Sequence, residues 1–358
     1  MENLFQLKDE GVKMINLKTQ IGSIELKNPL ILASAGYSST MNGLKKNIMM
    51  GYGAIVTKTV TTHPLQGAPK PTVFWYDPDE KNLLSGVEGL KNPGIEKMIE
   101  AIEQVIEISV EQNCKIIGSC TGNTIEEILL ICEKFKKVGV AGIELNMLCP
   151  NTGPHLGKGY NCIGKWWAQD VEKAIKLIKG IKQQFELPVW AKLPLVKLID
   201  KHFLQTLDQE SPPDAYSFVG GRLPNLKIDV KTGKPVLPGN LLLMIDQKIP
   251  ISPMVTGPVK PSTVLHVAYL SKLTKTPLIC SGGLTKGEDI LETIMAGASA
   301  AQICKVVYRE AKAGYRILGE IKELMEKYGY SNIEEIRGLA LQYLPDPPLF
   351  TVPNAKWY

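Results

Sequence analysis

The residues best suited to chemistry lie in the run Glu144–Asn151, ELNMLCPN. A cysteine flanked by two carboxamides, just past a strand-like apolar run, has a clear use. Asn146 and Asn151 can hold a polar planar ligand by paired donors and acceptors, and Cys149 can accept a proton. The tripeptide CPN fits equally a small buried side chain beside two turn-forming asparagines, and the local residues leave both readings open. A second group suits phosphate. Gly282 and Gly283 follow an apolar run and precede a helical pattern, Cys304 and Lys305 follow the next apolar run, and Gly257 lies ahead of the helical pattern at Pro261. Glycines there expose backbone N–H groups without side-chain obstruction, and Lys305 adds charge. The plainer alternative is a set of ordinary turn glycines. Lesser candidates are Cys162, a second thiol or a loop packing residue, and His155, a solvated loop side chain. Trp166 and Trp167 open a helix as packing or interface residues, and Asp77, Asp79 and Glu80 read as a solvated turn.

These residues need elements to position them. Apolar runs at Pro29–Ala33, Ala54–Lys58, Lys115–Cys120, Ala141–Asn146, Pro188–Lys192, Ala215–Val219, Pro277–Cys280 and Ala300–Cys304 read as strands. Between them lie helical patterns such as Pro93–Gln112, Thr124–Lys137, Ala168–Gln184, Pro261–Lys272 and Lys286–Met295. Strand–helix alternation repeated in this way predicts a parallel (β/α)8 TIM barrel in the α/β class. A doubly wound sheet is the rival, weakened because no GxGxxG follows the first strand. Two long connections, His63–Leu90 and one around residues 220–260, break the rhythm. The second holds PNLKIDVKTGKPVLPGN, which reads as a small inserted hairpin. In a barrel, insertions after strands gather at the C-terminal face. The tail at 344–358 reads as an extended strap, and no linker splits residues 1–358 into more than one domain.

The chain has 358 residues, 44% of them hydrophobic, enough for a sizeable core. A net charge of +5 with both signs interspersed, and no basic stripe, argues against nucleic acid. The seven cysteines form no CxxC pair and the four histidines no ligand spacing, so neither a disulfide framework nor a bound metal is expected. The N-terminus lacks a signal-peptide core and no apolar run is long enough to span a bilayer. A cytoplasmic protein away from membranes is the expectation.

Further motifs make the chain recognisable. GSIELKNPLILASAG (Gly22–Gly36), GAIVTKTVT (Gly53–Thr61), GLKNPG (Gly89–Gly94), NMLCPN, WAKLP (Trp190–Pro194), IDVKTGKPVL (Ile228–Leu237), GPVKP (Gly257–Pro261), SGGL (Ser281–Leu284) and AGASAAQIC (Ala296–Cys304) occur in that order. In this the chain resembles the dihydroorotate dehydrogenase family, including the related catalytic domain of dihydropyrimidine dehydrogenase, from about Ile15 to Leu341. The resemblance implies a barrel with FMN across its C-terminal mouth. Ala33, Ser34, Ala35 and Gly36 would then lie along the flavin, with Thr59 nearby and Ser119 on the ribityl side. Lys58 and Lys192 would face the ring and stabilise the negative charge of the reduced form. Gly257, Ser281, Gly282, Gly283, Cys304 and Lys305 would hold the phosphate, Cys304-Lys305 standing where the family usually has Gly-Thr.

Orotate-binding members surround the pyrimidine with four asparagines, and here Asn146 and Asn151 match two of them. The third falls at Ser85 or Gly86 and the fourth near Gly220 or Gly221, where glycine would enlarge the pocket; Glu88 and Arg222 are the polar candidates beside those gaps. The redox machinery reads as kept and the substrate pocket as rebuilt. The expected activity is therefore an FMN-dependent oxidoreductase that interconverts a C–C single and double bond beside a carbonyl, with Cys149 exchanging the proton. A small planar substrate of pyrimidine metabolism fits that chemistry. The alternatives are an FMN-dependent reductase of an enoate or other heterocycle, and a non-catalytic flavin-binding subunit of an electron-transfer assembly. Retention of Cys149 with its asparagines argues against the latter. The resemblance is to the soluble class, whose members form homodimers or join an electron-transfer subunit.

Overall fold

The computed structural model describes residues 15–75, 84–86, 88–149, 162–220, 228–229, 231–232, 234–236, 255–256 and 259–346. Each apolar run expected as a strand forms one: β1 (Leu30–Leu32), β2 (Ala54–Val56), β3 (Lys115–Cys120), β4 (Gly142–Asn146), β5 (Val189–Lys192), β6 (Ala215–Val219), β7 (Leu278–Ser281) and β8 (Ala300–Ile303). They close into a barrel in chain order, with β8 pairing parallel to β1. The strands are buried along nearly their whole length, which is why they appear as unbroken apolar runs and not as alternating patterns.

The helices between the strands carry their own boundary signals. In Ile125–Val138 the Thr124 side chain accepts from the Glu127 amide, and Gly139 closes the helix with a left-handed φ of 85°. Asp170 caps Val171–Phe185 by accepting from the Lys173 amide. The expected helix Pro93–Gln112 is instead two, Ile95–Glu103 and Ile106–Glu111. Val105 between them is fully buried with φ −126° and ψ −5°, so packing bends the chain where no glycine or proline marks a break.

One apolar layer lies between the helices and the outside of the barrel, with Phe135, Leu177, Leu207 and Ile317 in it. A second fills the inside: Ile31, Val56, Ile117, Trp190 and Ile279 pack with Ile21, Ile24 and Leu26. Those last three belong to an antiparallel hairpin, Thr19–Ile21 with Ile24–Leu26, which plugs the N-terminal end. Chemistry is thereby left to the C-terminal end. There the two long insertions meet, because Leu84–Gly86 pairs antiparallel with both Val73–Trp75 and Val255–Thr256. The small hairpin expected in the second insertion is present as Ile228–Asp229 with Lys234–Pro235. Of the expected tail, Leu344–Asp346 falls within the described residues and the remainder outside them. Among the described residues no helix is long and apolar enough to cross a membrane.

Candidate active site

A cavity opens at the C-terminal mouth of the barrel, lined by strand-end residues that are far apart in sequence. Ala33, Ser34 and Ala35 form one wall directly after β1. Thr59, after β2, ties the neighbouring loops together. Its hydroxyl lies 3.3 Å from Ser34 Oγ and 2.8 Å from Ser119 Oγ, and accepts from Asn146 Nδ2 at 3.1 Å. The Thr59 amide in turn donates to Ser34 Oγ at 3.0 Å. One buried hydroxyl thus ties together the C-terminal ends of β1, β2, β3 and β4.

Cys149 also lines the cavity, half-buried and packed against Leu65, Leu90 and Ile163. Its peptide is held at both ends. The Asn146 Oδ1 accepts from the Cys149 amide at 3.0 Å and from the Leu148 amide at 3.2 Å, while the Cys149 carbonyl accepts from the Lys165 amide at 2.9 Å. Gly164 makes the return possible: its φ is +57°, and a Cβ there would lie 2.3 Å from the Cys149 carbonyl oxygen. Burial lowers the pKa of Lys165, and the neighbouring Cys149 acts in the opposite direction.

Both expected lysines reach the cavity, and each has a carboxylate. Lys192 donates to Glu144 Oε1 at 2.9 Å and to Gln302 Oε1 at 3.3 Å. The other oxygen of Glu144 accepts from Gln302 Nε2 at 2.6 Å and Ser217 Oγ at 3.1 Å. Glu144 is fully buried, a position a carboxylate holds only with its charge and lone pairs satisfied. Of this network, from β4, β5, β6 and β8, Lys192 and Gln302 line the cavity, while Glu144 and Ser217 are fully buried and hold them in place. Lys58 is paired with Glu88 Oε2, and Tyr308 donates to Glu88 Oε1 at 3.4 Å. Burial first, and then the Glu88 charge, raise the pKa of the Cys304 thiol.

The far end of the cavity is built from the loops after β7 and β8. Gly282 and Gly283 have φ of +115° and +75°. A Cβ on Gly283 would lie 2.5 Å from the Lys260 amide nitrogen, at the start of the helix Lys260–Ser271. Only glycine leaves this gap open, and helix-terminal N–H groups beside it suit an anion. Lys305 lines the same cavity, its pKa lowered to about 8 by burial and by Arg309.

Not every expected residue lies where the sequence suggested. Ser119 is fully buried behind Thr59 and does not line the cavity. Gly36 borders an adjoining groove with Lys58 and Glu88. Gly220 gives no extra room: a Cβ there would meet Thr263 Cα at 2.3 Å, so this glycine serves close packing against a helix and does not enlarge the pocket. Gly86 does line the cavity, and a Cβ at that position would find its nearest neighbouring atom 3.6 Å away; Ser85 lies beside it in the same strand. The Cys162 amide donates to Asn123 Oδ1 at 3.2 Å, and this residue does not line the cavity. Asn151, Arg222 and Gly257 lie outside the described residues. Sequence reasoning missed Gln302, Ser217 and Tyr308, and passed over Glu144 as a site residue. The signal was there for three of them: polar side chains inside otherwise apolar strands.

The model of the family described as "Dihydroorotate dehydrogenase" matches residues 16–325. The chain is 31% identical over 329 residues to the "Dihydroorotate dehydrogenase B (NAD(+)), catalytic subunit" of Pyrococcus furiosus, covering 91% of this chain and 99% of that one. The protein of the same description from Methanocaldococcus jannaschii is 31% identical, covering 90% of this chain and 98% of its own. Among solved structures, DHODH from Eimeria tenella, in complex with ferulenol, superposes with a TM-score of 0.69 at 18% identity, covering 94% of this chain and 91% of that one. That last likeness bears on the fold.

Proposed function

This chain belongs to the dihydroorotate dehydrogenase family, and on that premise we propose that it is an FMN-dependent oxidoreductase interconverting a C–C single and double bond beside a carbonyl. The observation that carries this reading is the convergence of Cys149, Asn146, Lys58 and Lys192 on one cavity that ends in a glycine cradle. The cradle fits the cofactor: Gly282, Gly283 and the start of the helix at Lys260 would hold its phosphate, with Lys305 adding charge. The small side chains Ala33, Ser34 and Ala35 would admit a flat ring against the backbone. Bound there, FMN supplies two-electron chemistry, taking or giving hydride.

The protein's own residues handle orientation and the proton. In the oxidative direction the Cys149 thiolate removes the proton from the carbon beside the carbonyl, becoming the thiol, as hydride leaves the adjacent carbon. Asn146 and Lys165 fix the Cys149 backbone, so the sulfur is presented from one position. Glu144 and Gln302 hold the Lys192 ammonium at the cavity, where positive charge favours an electron-rich ring. Curated relatives are named as catalytic subunits of an NAD(+)-linked enzyme, so we further propose that an electron-transfer subunit joins this chain, itself a homodimer.

The test is to purify the chain, reduce its flavin, and follow reoxidation by orotate, uracil, thymine, fumarate and a set of enoates. Reoxidation by one of them is expected. A folded, colourless protein that cannot be reconstituted with FMN contradicts the reading.

A further inference from the structure

The carboxylate of Glu88 occupies the cavity wall in an arrangement that no part of the proposed chemistry uses. Its backbone is fixed first. The Glu88 carbonyl accepts from the Ala68 amide at 3.1 Å and the Lys91 amide at 3.3 Å. Gly89 and Leu90 follow with φ of +61° and +56°, two consecutive left-handed residues, the second strained for a side chain with a Cβ. The turn aims the side chain back at the strand ends. There Glu88 Oε2 takes the Lys58 ammonium, and Oε1 receives a long hydrogen bond of 3.4 Å from Tyr308. The Lys58 side chain is 9% exposed and that of Glu88 29%. The lysine is thus the more buried member of the pair, and the carboxylate the more exposed one.

This changes what the wall can recognise. A lysine alone would attract a carboxylate. A lysine already neutralised by a more exposed carboxylate with spare lone pairs offers an anion little, while the carboxylate itself disfavours an anion and favours a hydrogen-bond donor. Gly86 beside it lines the cavity without a side-chain donor or acceptor. We propose that Glu88 is a specificity-determining residue that makes the site select an electrically neutral, N–H-bearing ring over the same ring carrying a carboxylate. The inference rests on the reading above that this cavity is the substrate site.

Uracil and orotate are a matched pair for the test, since they differ by one carboxylate on a common ring. Both are titrated into the FMN-loaded protein, by calorimetry and by perturbation of the flavin spectrum. The wild type should bind uracil at least about tenfold more tightly than orotate, the scale of one like-charge contact in a half-exposed site. Glu88→Gln keeps the shape and releases Lys58, so the preference should move toward orotate by about tenfold or more. Glu88→Ala should move it the same way, so the result does not hang on one variant. Equal binding of the two ligands by the wild type, binding of neither, or a ratio unmoved in both variants overturns the proposal. A chain that takes up no FMN fails the functional reading as well. A flavin-loaded chain with an unmoved ratio fails the role of Glu88 alone.

Discussion

Cys149 is gripped through its amide by Asn146 and through its carbonyl by the amide of Lys165, and this bears on how a thiol can act as a base. A free thiol near pKa 8.5 is only about 3% thiolate at pH 7. The Lys165 ammonium, half-buried beside it, favours the thiolate, just as the thiolate favours the ammonium. Activity that needs the thiolate rises with pH through the thiol pKa, so removing the ammonium must push that rise to higher pH. Lys165→Met should therefore shift the ascending limb of the kcat/KM profile upward, and Lys165→Arg should restore it. Cys149→Ala should retain flavin and slow its reduction by substrate about 10²–10⁴-fold in stopped-flow measurements. Cys162→Ala, away from the cavity, should react as the wild type does. At this scale the sequence was readable where one residue in one motif was expected at the cavity, as with Cys149 and Lys192, which both line it. It was silent on pairings across the fold, such as Lys58 with Glu88 or Glu144 with Gln302, because those depend on which strand ends become neighbours.

The elements were legible because each strand is buried on both faces and so must be apolar throughout. Polar residues within those strands are the exceptions that carry meaning: Glu144 in β4, Ser217 in β6 and Gln302 in β8 meet at one point, with Lys192 closing the set. Loop glycines were harder to read, since glycine can mark either open space or a crowded contact, and sequence does not distinguish them. Gly86 and Gly220 illustrate the difference. A Cβ at Gly220 would sit 2.3 Å from Thr263 Cα, whereas at Gly86 the nearest atom is 3.6 Å away. Gly220→Asn should cost about 1–3 kcal/mol by overpacking, and Gly86→Asn less than about 1 kcal/mol. Urea unfolding of the two single variants checks this. Equal losses would show that Gly220 is not held against its helix as described.

On the scale of the whole molecule, the hairpin Thr19–Leu26 closes one end of the barrel and the cavity with its two insertions occupies the other. Everything proposed for the site thus depends on one face where the ends of seven of the eight strands line the cavity, and a ligand bridging them should stabilise the entire barrel. Binding to the native state alone adds RT ln(1 + [L]/Kd), about 2.7 kcal/mol at one hundred times Kd. For 358 residues the unfolding entropy is roughly 0.75 kcal/mol per degree, so saturating FMN should raise the melting temperature by about 3–4 °C. Gly283→Ala supplies the control. A methyl group there collides with the Lys260 amide and forces a residue with φ of +75° to carry a side chain. That variant should melt lower by itself and, more tellingly, lose most of the FMN-dependent increment measured between paired scans with and without cofactor. If the wild type shows no increment at any FMN concentration, the cradle after β7 does not hold a flavin phosphate. If the Gly283→Ala increment equals that of the wild type, the phosphate is held by other groups.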